Sequence, residues 1–520
     1  MNLPALGLLA ALCASAPGAP PAPEGFVAAD TPEALPEPLD AALARIQAAP
    51  LAAHIAYLAD PKRQGRCLGT RGLEATARYL TGHLVKAGLA PLGPTYVQAV
   101  PLRRISALGG EVTLTLPGRE AILWRHGRTG LLPELEPQTL AAPVVFAGYG
   151  IQEPALAHDD YKGLEVLGKV VLLVGGLPPG PQWRTPELMA RYGSVKPQER
   201  YAARVEALDR LGALAVVALE EGEGEPFAAK PSEPFFRPAK DVPSTEEPPL
   251  ARVCASRELL RALGVTPGTL AGATAALRTT GEVGEASSRN ILAVLPGRDP
   301  QVKGEAVVLG AHMDHLGMAG GVLHPGADDN GSGVAALLEI ARAFAASKAR
   351  PRRTVIFAFW TGEEDGKFGS GHYVRHPRWP LARTAAYLNL DMIGHPWLPE
   401  EIRKLVLEAD PVQGPAFLAR VEPAAFAEPG FARWAPDLGP VLARAGRGTG
   451  MALHLDPGDG INGGSDYRDF ARAKVPWVRF FGNYFPEYHE AGDKPENLDP
   501  AQVRRMARLA MATAWLLADR

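Results

Sequence analysis

Cysteine is nearly absent, with Cys13, Cys67 and Cys254 the only three in 520 residues. A disulfide-dense scaffold is excluded, and Cys67 and Cys254 are left as either one bridge or two buried thiols. An excess of either charge is also missing: 54 Lys and Arg face 57 Asp and Glu, for a formal net charge of -3. No global field draws such a chain to nucleic acid or to an anionic membrane surface. Beyond the first residues no apolar run is long enough for a membrane helix, so stable membrane insertion is not expected. Internal repeats are lacking too. What is present is a chain that is 46% hydrophobic and able to bury a large core, with a length that suggests roughly two to four domain-sized units.

The opening stretch, "MNLPALGLLAALCASAPGAPPAPEG", has an apolar run from Leu3 to Ala14 followed by small residues and prolines. It reads as a signal peptide over residues 1–22 and implies a secreted or periplasmic protein. A lipid anchor at Cys13 ranks second, because Leu12 is bulkier than such processing accepts. After a Pro-rich linker to about residue 38, "TRGLEATARYLTGHLVKAGL" spaces Leu73, Ala77, Leu80 and Leu84 as one helix face, with Gly88 where the helix would end. From about 140 to 270 the texture changes to short apolar runs, "PVVFAGYG", "GKVVLLVGG" and "GALAVVALEE", divided by Gly, Pro and charged loops. These predict a small β-rich insert over residues 116–274.

From "RNILAVLPG" and "EAVVLGAHMDHLG" onward, strand-like runs alternate with helical patterns. The expected main domain, residues 38–115 with 275–520, is α/β: a mixed central β-sheet with helices on both faces. Its helices include "GSGVAALLEIARAFAASKAR", with Val334, Leu337, Leu338, Ala341 and Phe344 on one face, and a final helix capped by Asp499 with Pro500 at its first position.

Four predicted strands, "EAVVLGAH", "TVIFAFW", "AAYLNLD" and "VPWVRFF", each lead at or shortly beyond the carboxyl end into His or a carboxylate. These are His312, the pair Glu363 and Glu364, Asp391 and, after a short loop, His489; Asp329 lies between the first strand and its following helix. Ligands of open α/β sheets gather beyond the carboxyl ends of the strands, and two imidazoles with three carboxylates form a plausible N/O metal set. Taken singly, each has an ordinary alternative as a helix cap or structural His; their joint placement favours the metal. Asp314, two residues after His312, can accept the second imidazole proton and fix the tautomer. Adjacent glutamates make sense if Glu364 coordinates the cation while Glu363 stays free as the general base that takes a proton from water.

The motifs "GAHMDHLG", "GADDNGSG", "WTGEEDGKFGSGHYV", "LNLDMIG" and "PEYHEAGD" together resemble those of the M28 family of zinc exopeptidases, and the insert resembles a protease-associated (PA) domain. The resemblance implies the zinc exopeptidase fold and two Zn2+ ions, replaceable by Mn or Co. In that reading Asp329 bridges the ions, His312 and Asp391 complete one site, and Glu364 and His489 complete the other. It also implies a strained, possibly cis Asp329–Asn330 bond and Tyr488 as a hydrogen-bond donor to the oxyanion. "GGSDYRDF" resembles the family's "SDH" segment, but Tyr467 replaces the His, which leaves Asp466 a weak pocket candidate. His315, His324, His372 and His376 are assigned to loop or surface roles. The implied activity is aminopeptidase action on peptides. Rivals are a carboxypeptidase using Arg444, Arg447 or Arg468, a single-zinc glutaminyl cyclase, and a binding protein without catalysis.

Overall fold

Runs that are apolar at every position form the middle of the main sheet. The computed structural model describes residues 25–29, 33–126, 128–131, 137–194, 197–221, 235–239, 249–263, 267–319 and 321–520; the signal segment and Cys13 lie outside them. Two compact units divide the chain, one of Pro101–Ser287 and the other of the described residues up to Val100 together with Ser288–Arg520. The inner unit thus runs beyond 116–274 at both ends. No disulfide joins Cys67 and Cys254.

In the outer unit, β1 (Gly268–Leu295, through its last residues), β2 (Ala306–His312), β3 (Thr354–Trp360), β4 (Thr384–Asp391), β5 (Gly430–Ala432), β6 (Asp456–Gly458) and β7 (Trp477–Phe481) form a sheet in the order β6-β5-β7-β4-β2-β3-β1. Strands β3, β2, β4 and β7 are mutually parallel, whereas β1 runs antiparallel to β3 and β5 antiparallel to β7 while pairing in parallel with β6, so the sheet is mixed. All seven residues of β2 and of β3 are buried. That is the burial expected where helices cover both faces, and it explains runs with no polar alternation. Parallel register brings His312 opposite Trp360 and Asp391 opposite Phe481, so the carboxyl ends emerge along one edge.

Helix α1 spans Ala48–Leu58 and α2 spans Arg71–Lys86. Thr70 caps α2 by accepting from the Leu73 amide, and Leu73, Ala77, Leu80 and Leu84 form its buried face, as their spacing predicts. Gly88, at φ +75°, ends it. Helix α3 (Gly333–Ala345) departs from expectation: not only its predicted stripe but also Ala335, Ala336 and Ala343 are buried. Its alanines let it lie against the sheet and against the last helix, α5 (Pro500–Ala518), where Phe344 stacks on Trp515 with ring centroids 5.3 Å apart. Asp499 caps α5 through the Ala501 amide at 2.8 Å.

The inner unit is less purely β than its sequence suggests. Strands Gln138–Phe146, Val170–Val174, Ala215–Glu221 and Leu250–Ala255 pair in parallel, and helix Pro197–Arg210 lies on them. Alternate residues serve opposite faces. Val144, Phe146, Val170, Leu172, Val217 and Leu219 enter one core, while Val145, Val171, Leu173, Val216 and Ala218 meet Tyr201, Val205 and Leu208 in the other. No helix among the described residues is long and apolar enough to cross a membrane.

Because Leu338 is wholly buried in α3, Leu338→Ala is expected to lower unfolding free energy by about 2–5 kcal/mol through lost burial and the cavity left behind. Its denaturant midpoint, at unchanged m-value, measures this.

Candidate metal centre

Strand β2 delivers His312 to the sheet edge, with Nε2 3.2 Å from Asp391 Oδ1 at the end of β4 and 3.4 Å from Asp329 Oδ1. Asp329 arrives on the turn that enters α3, and the Asp329–Asn330 peptide bond is cis, as the resemblance implied. Asn330 secures that turn, accepting from the Gly333 amide at 3.0 Å and donating to the Leu390 carbonyl at 2.9 Å. The other Asp329 oxygen, Oδ2, lies 3.0 Å from His489 Nε2, which is also 3.3 Å from Glu364 Oε2. All five anticipated donors therefore converge, with Asp329 shared between two groups.

The donor set suits a metal. Tetrahedral coordination at about 2.0–2.2 Å places ligand atoms about 3.3–3.6 Å apart. The four separations at His312 and His489, 3.0 to 3.4 Å, match or slightly undercut that edge. His312, Asp329 and Asp391 form one group with donor atoms all within 4.8 Å, and His315, Asp329 and Glu364 form another. His315 thus competes with His489 for the second group. Its Nδ1 is 2.7 Å from Glu364 Oε1 and 3.6 Å from Asp329 Oδ2, so His315 and His489 both face the same pair of carboxylates.

This corrects the assignment of His315 to a loop or surface role, since it is 1% exposed in the centre of the site. His324 holds the His489 carbonyl at 3.1 Å. His372 and His376 lie on and just beyond helix α4 (Phe368–Arg375), their rings 4.7 Å apart. Asp314 needs correction as well. Its oxygens accept the Glu363 and Glu364 amides, each at 3.2 Å, while His312 Nδ1 has no hydrogen-bond partner. Asp314 therefore fixes the backbone of the glutamate pair instead of the imidazole tautomer. Tyr488 stacks on His489 with ring centroids 3.9 Å apart. Asp466 is fully buried.

Sequence patterns did not single out the residues beneath the donors. Arg66 is wholly buried, and its donors go to the carbonyls of Met313, Leu58, Pro325, Gly326 and Asp329 at 2.7–3.4 Å. All five guanidinium N–H groups are thereby used. Arg66 sits at φ +54°, a conformation unfavourable for a side-chain-bearing residue, and these bonds offset its cost. Asp493 accepts the amides of Asp328 and Asp329 at 2.8 and 3.0 Å, while Asp328 takes the Gly394 amide and His395 Nδ1 at 2.8 and 2.6 Å. "PEYHEAGD" contains Asp493 four residues after His489, which is the only sequence signal for it.

Electrostatics divide the carboxylates. Burial pushes Asp329 up to about 6, with Glu364 adding to the shift and the imidazoles opposing it. Burial likewise raises Asp314, takes Glu363 well above the usual carboxylate range, and raises Asp466 to about 7. Glu364 goes the other way: burial opposes ionisation, but hydrogen bonds from His315 and His489 hold it well below that range. Burial also opposes the charged form of His489, yet Asp329 and Glu364 raise it to about 10. Glu364 is thus held anionic and Glu363 is proton-avid, although the two are neighbours in the chain.

A mixed α/β sheet whose carboxyl edge carries donors grouped around a shared aspartate is the architecture of the zinc exopeptidase fold class. Residues 290–514 match the model of peptidase family M28. The chain is 29% identical over 255 residues to leupeptin-inactivating enzyme 1 of Streptomyces exfoliatus, covering 48% of this chain and 52% of that protein. It is 47% identical over 92 residues to an aminopeptidase of Pseudomonas aeruginosa, 17% of this chain and 16% of that protein. Leucine aminopeptidase 2 of Trichophyton rubrum is 29% identical over 251 residues, 44% of each. The chain therefore spans about half or less of the length of these curated relatives. An aminopeptidase from Aneurinibacillus sp. strain AM-1 shares the fold at a TM-score of 0.52 and 18% identity, over 92% of this chain and 96% of that one.

Asp493→Asn would turn one acceptor into a donor facing a backbone N–H. The expected result is zinc affinity lower by about 10-fold to 100-fold, the usual scale for groups that orient ligands, read by competition with a chromophoric chelator.

Proposed function

We propose that this chain is an exported two-zinc aminopeptidase that removes N-terminal residues from peptides. The observation that carries the reading is the position of Glu363, uncommitted to the donor set and held by Asp314 beside Glu364. His312, Asp329 and Asp391 would hold one ion; His489, Asp329 and Glu364 would hold the other. When bound, the metal supplies Lewis-acid polarisation of the scissile carbonyl and lowers the pKa of attacking water.

The chain's own residues do the rest. Glu363 is 7% exposed and held above the carboxylate range by burial, which favours its acceptance of a proton. The water oxygen bonds to the acyl carbon, the C–N bond breaks, and Glu363 passes the proton to the departing amine. Tyr488, half-buried and stacked on His489, would donate its hydroxyl to the oxyanion. Export rests on the apolar N-terminal stretch, and the PA-like reading of the insert rests on its sequence texture.

The carboxypeptidase rival loses two of its three candidate anchors. Arg444 and Arg447 both bind Glu33 at 2.9 Å, leaving Arg468. Free-amine peptides should therefore be cleaved and their N-acetylated forms resist; the reverse preference would refute the reading. A count of about one zinc per chain would favour the cyclase instead. Glu363→Gln is expected to keep metal content while reducing turnover by roughly 10²-fold to 10⁴-fold, measured with aminoacyl anilides alongside metal analysis. Near-normal turnover in this variant would remove Glu363 from the mechanism.

A further inference from the structure

The turn that carries Glu363 also carries a cation that the mechanism above does not use. Lys367 Nζ lies 3.0 Å from Glu363 Oε1, and the lysine side chain is 12% exposed. Its backbone is held on both sides: the amide donates to the Glu363 carbonyl at 2.9 Å, and the carbonyl accepts from the Gly371 amide at 3.0 Å. Lys367 occupies the left-handed region, at φ +65° and ψ +38°, where glycine or asparagine would be cheaper. A lysine is therefore kept here against the backbone preference. A second cation backs the same turn, since Arg468 donates to the Gly366 carbonyl at 3.3 Å and its Nε is buried without a hydrogen-bond partner. Asp469 Oδ1 stands 3.8 Å from that Nε.

We infer that Lys367, backed by Arg468, forms a carboxylate-recognising subsite for the residue just after the scissile bond. The inference rests on Glu363 acting as proposed. Glu363 hands its proton to the departing nitrogen, so the group 3.0 Å from Glu363 borders the residue that leaves. In a dipeptide, one carbon separates that nitrogen from the free carboxylate. The carboxylate has two possible sources, the α-carboxylate of a dipeptide or the side chain of an acidic leaving residue.

Four substrates separate these sources: Leu-Ala, its amide Leu-Ala-NH2, Leu-Glu-NH2 and Leu-Gln-NH2. On the zinc-loaded full chain, the expected result is a kcat/KM for Leu-Ala roughly 10-fold to 100-fold above its amide, the scale of a hydrogen bond to a charged group. A matching preference for Leu-Glu-NH2 over Leu-Gln-NH2 would extend recognition to acidic side chains, and equal rates for that pair would confine it to the α-carboxylate. Lys367→Met should bring each ratio that exceeds one close to one, while Lys367→Arg, which keeps the charge, should preserve it. The readout is the ratio within each variant, so a general loss of activity does not imitate it. Equal wild-type rates on all four substrates would overturn this inference and leave the aminopeptidase reading intact. An equal fall on acids and amides in Lys367→Met would also overturn it, reducing Lys367 to a counter-ion of Glu363. Failure to cleave any of the four would overturn both readings.

Discussion

Crowding of buried negative charge is the constraint around which this protein is organised. Asp314, Asp329, Glu363 and Asp466 lie within one region of the interior together with Asp328 and Asp493, all under a tenth exposed. Like carboxylates that close cannot all ionise without compensation. Arg66 is the permanent part of that compensation: burial pulls its guanidinium pKa down, while Asp493, Asp329, Asp314 and Glu364 push it back up. His312, His315 and His489 set their ring nitrogens against the donor faces of the same groups. A divalent ion between those donors completes the same balance, which is why the donor set and its supports read as one device.

The sheet makes such crowding possible. Parallel strands β2 and β4 carry His312 and Asp391 on their last residues, and β3 leads into the turn of the glutamate pair, while their apolar bodies fill the core. The loops beyond the strands would otherwise be the soft part of the site. They are held by backbone hydrogen bonds to buried side chains, Asp314 for the glutamate pair, Asp493 for the Asp328–Asp329 turn and Arg66 for the carbonyls of Met313, Pro325, Gly326 and Asp329.

Much of the site was legible in the sequence because function here is placed where a pattern breaks. An apolar run that stops at His312, Glu363 or Asp391 marks both the strand and the donor at its end. His315 escaped that logic: three residues past His312, in a segment with no periodicity, it is brought to Glu364 by a loop and not by strand register. Arg66 escaped for another reason, since its partners are backbone carbonyls from distant parts of the chain and leave no mark in residue identity. Helix α3 shows a third limit. Its strongest stripe predicts one buried face, but alanine is silent about exposure, and Ala335 and Ala336 turn out to be core. The inner unit was read as β-rich from its runs, while helix Pro197–Arg210, which lies on those strands, has too little apolar contrast to announce itself.

The reach of Arg66 along the chain bears on the order in which the protein can be completed during synthesis. It lies in the first hundred residues, yet four of its five carbonyl partners come from Met313, Pro325, Gly326 and Asp329. The acceptor that sets the Asp329 amide, Asp493, comes later still. A nascent chain therefore carries a guanidinium that must remain hydrated through the whole of Pro101–Ser287. The inner unit has all of its own residues before the centre has its partners. The acidic centre can close only when the chain has emerged as far as Asp493.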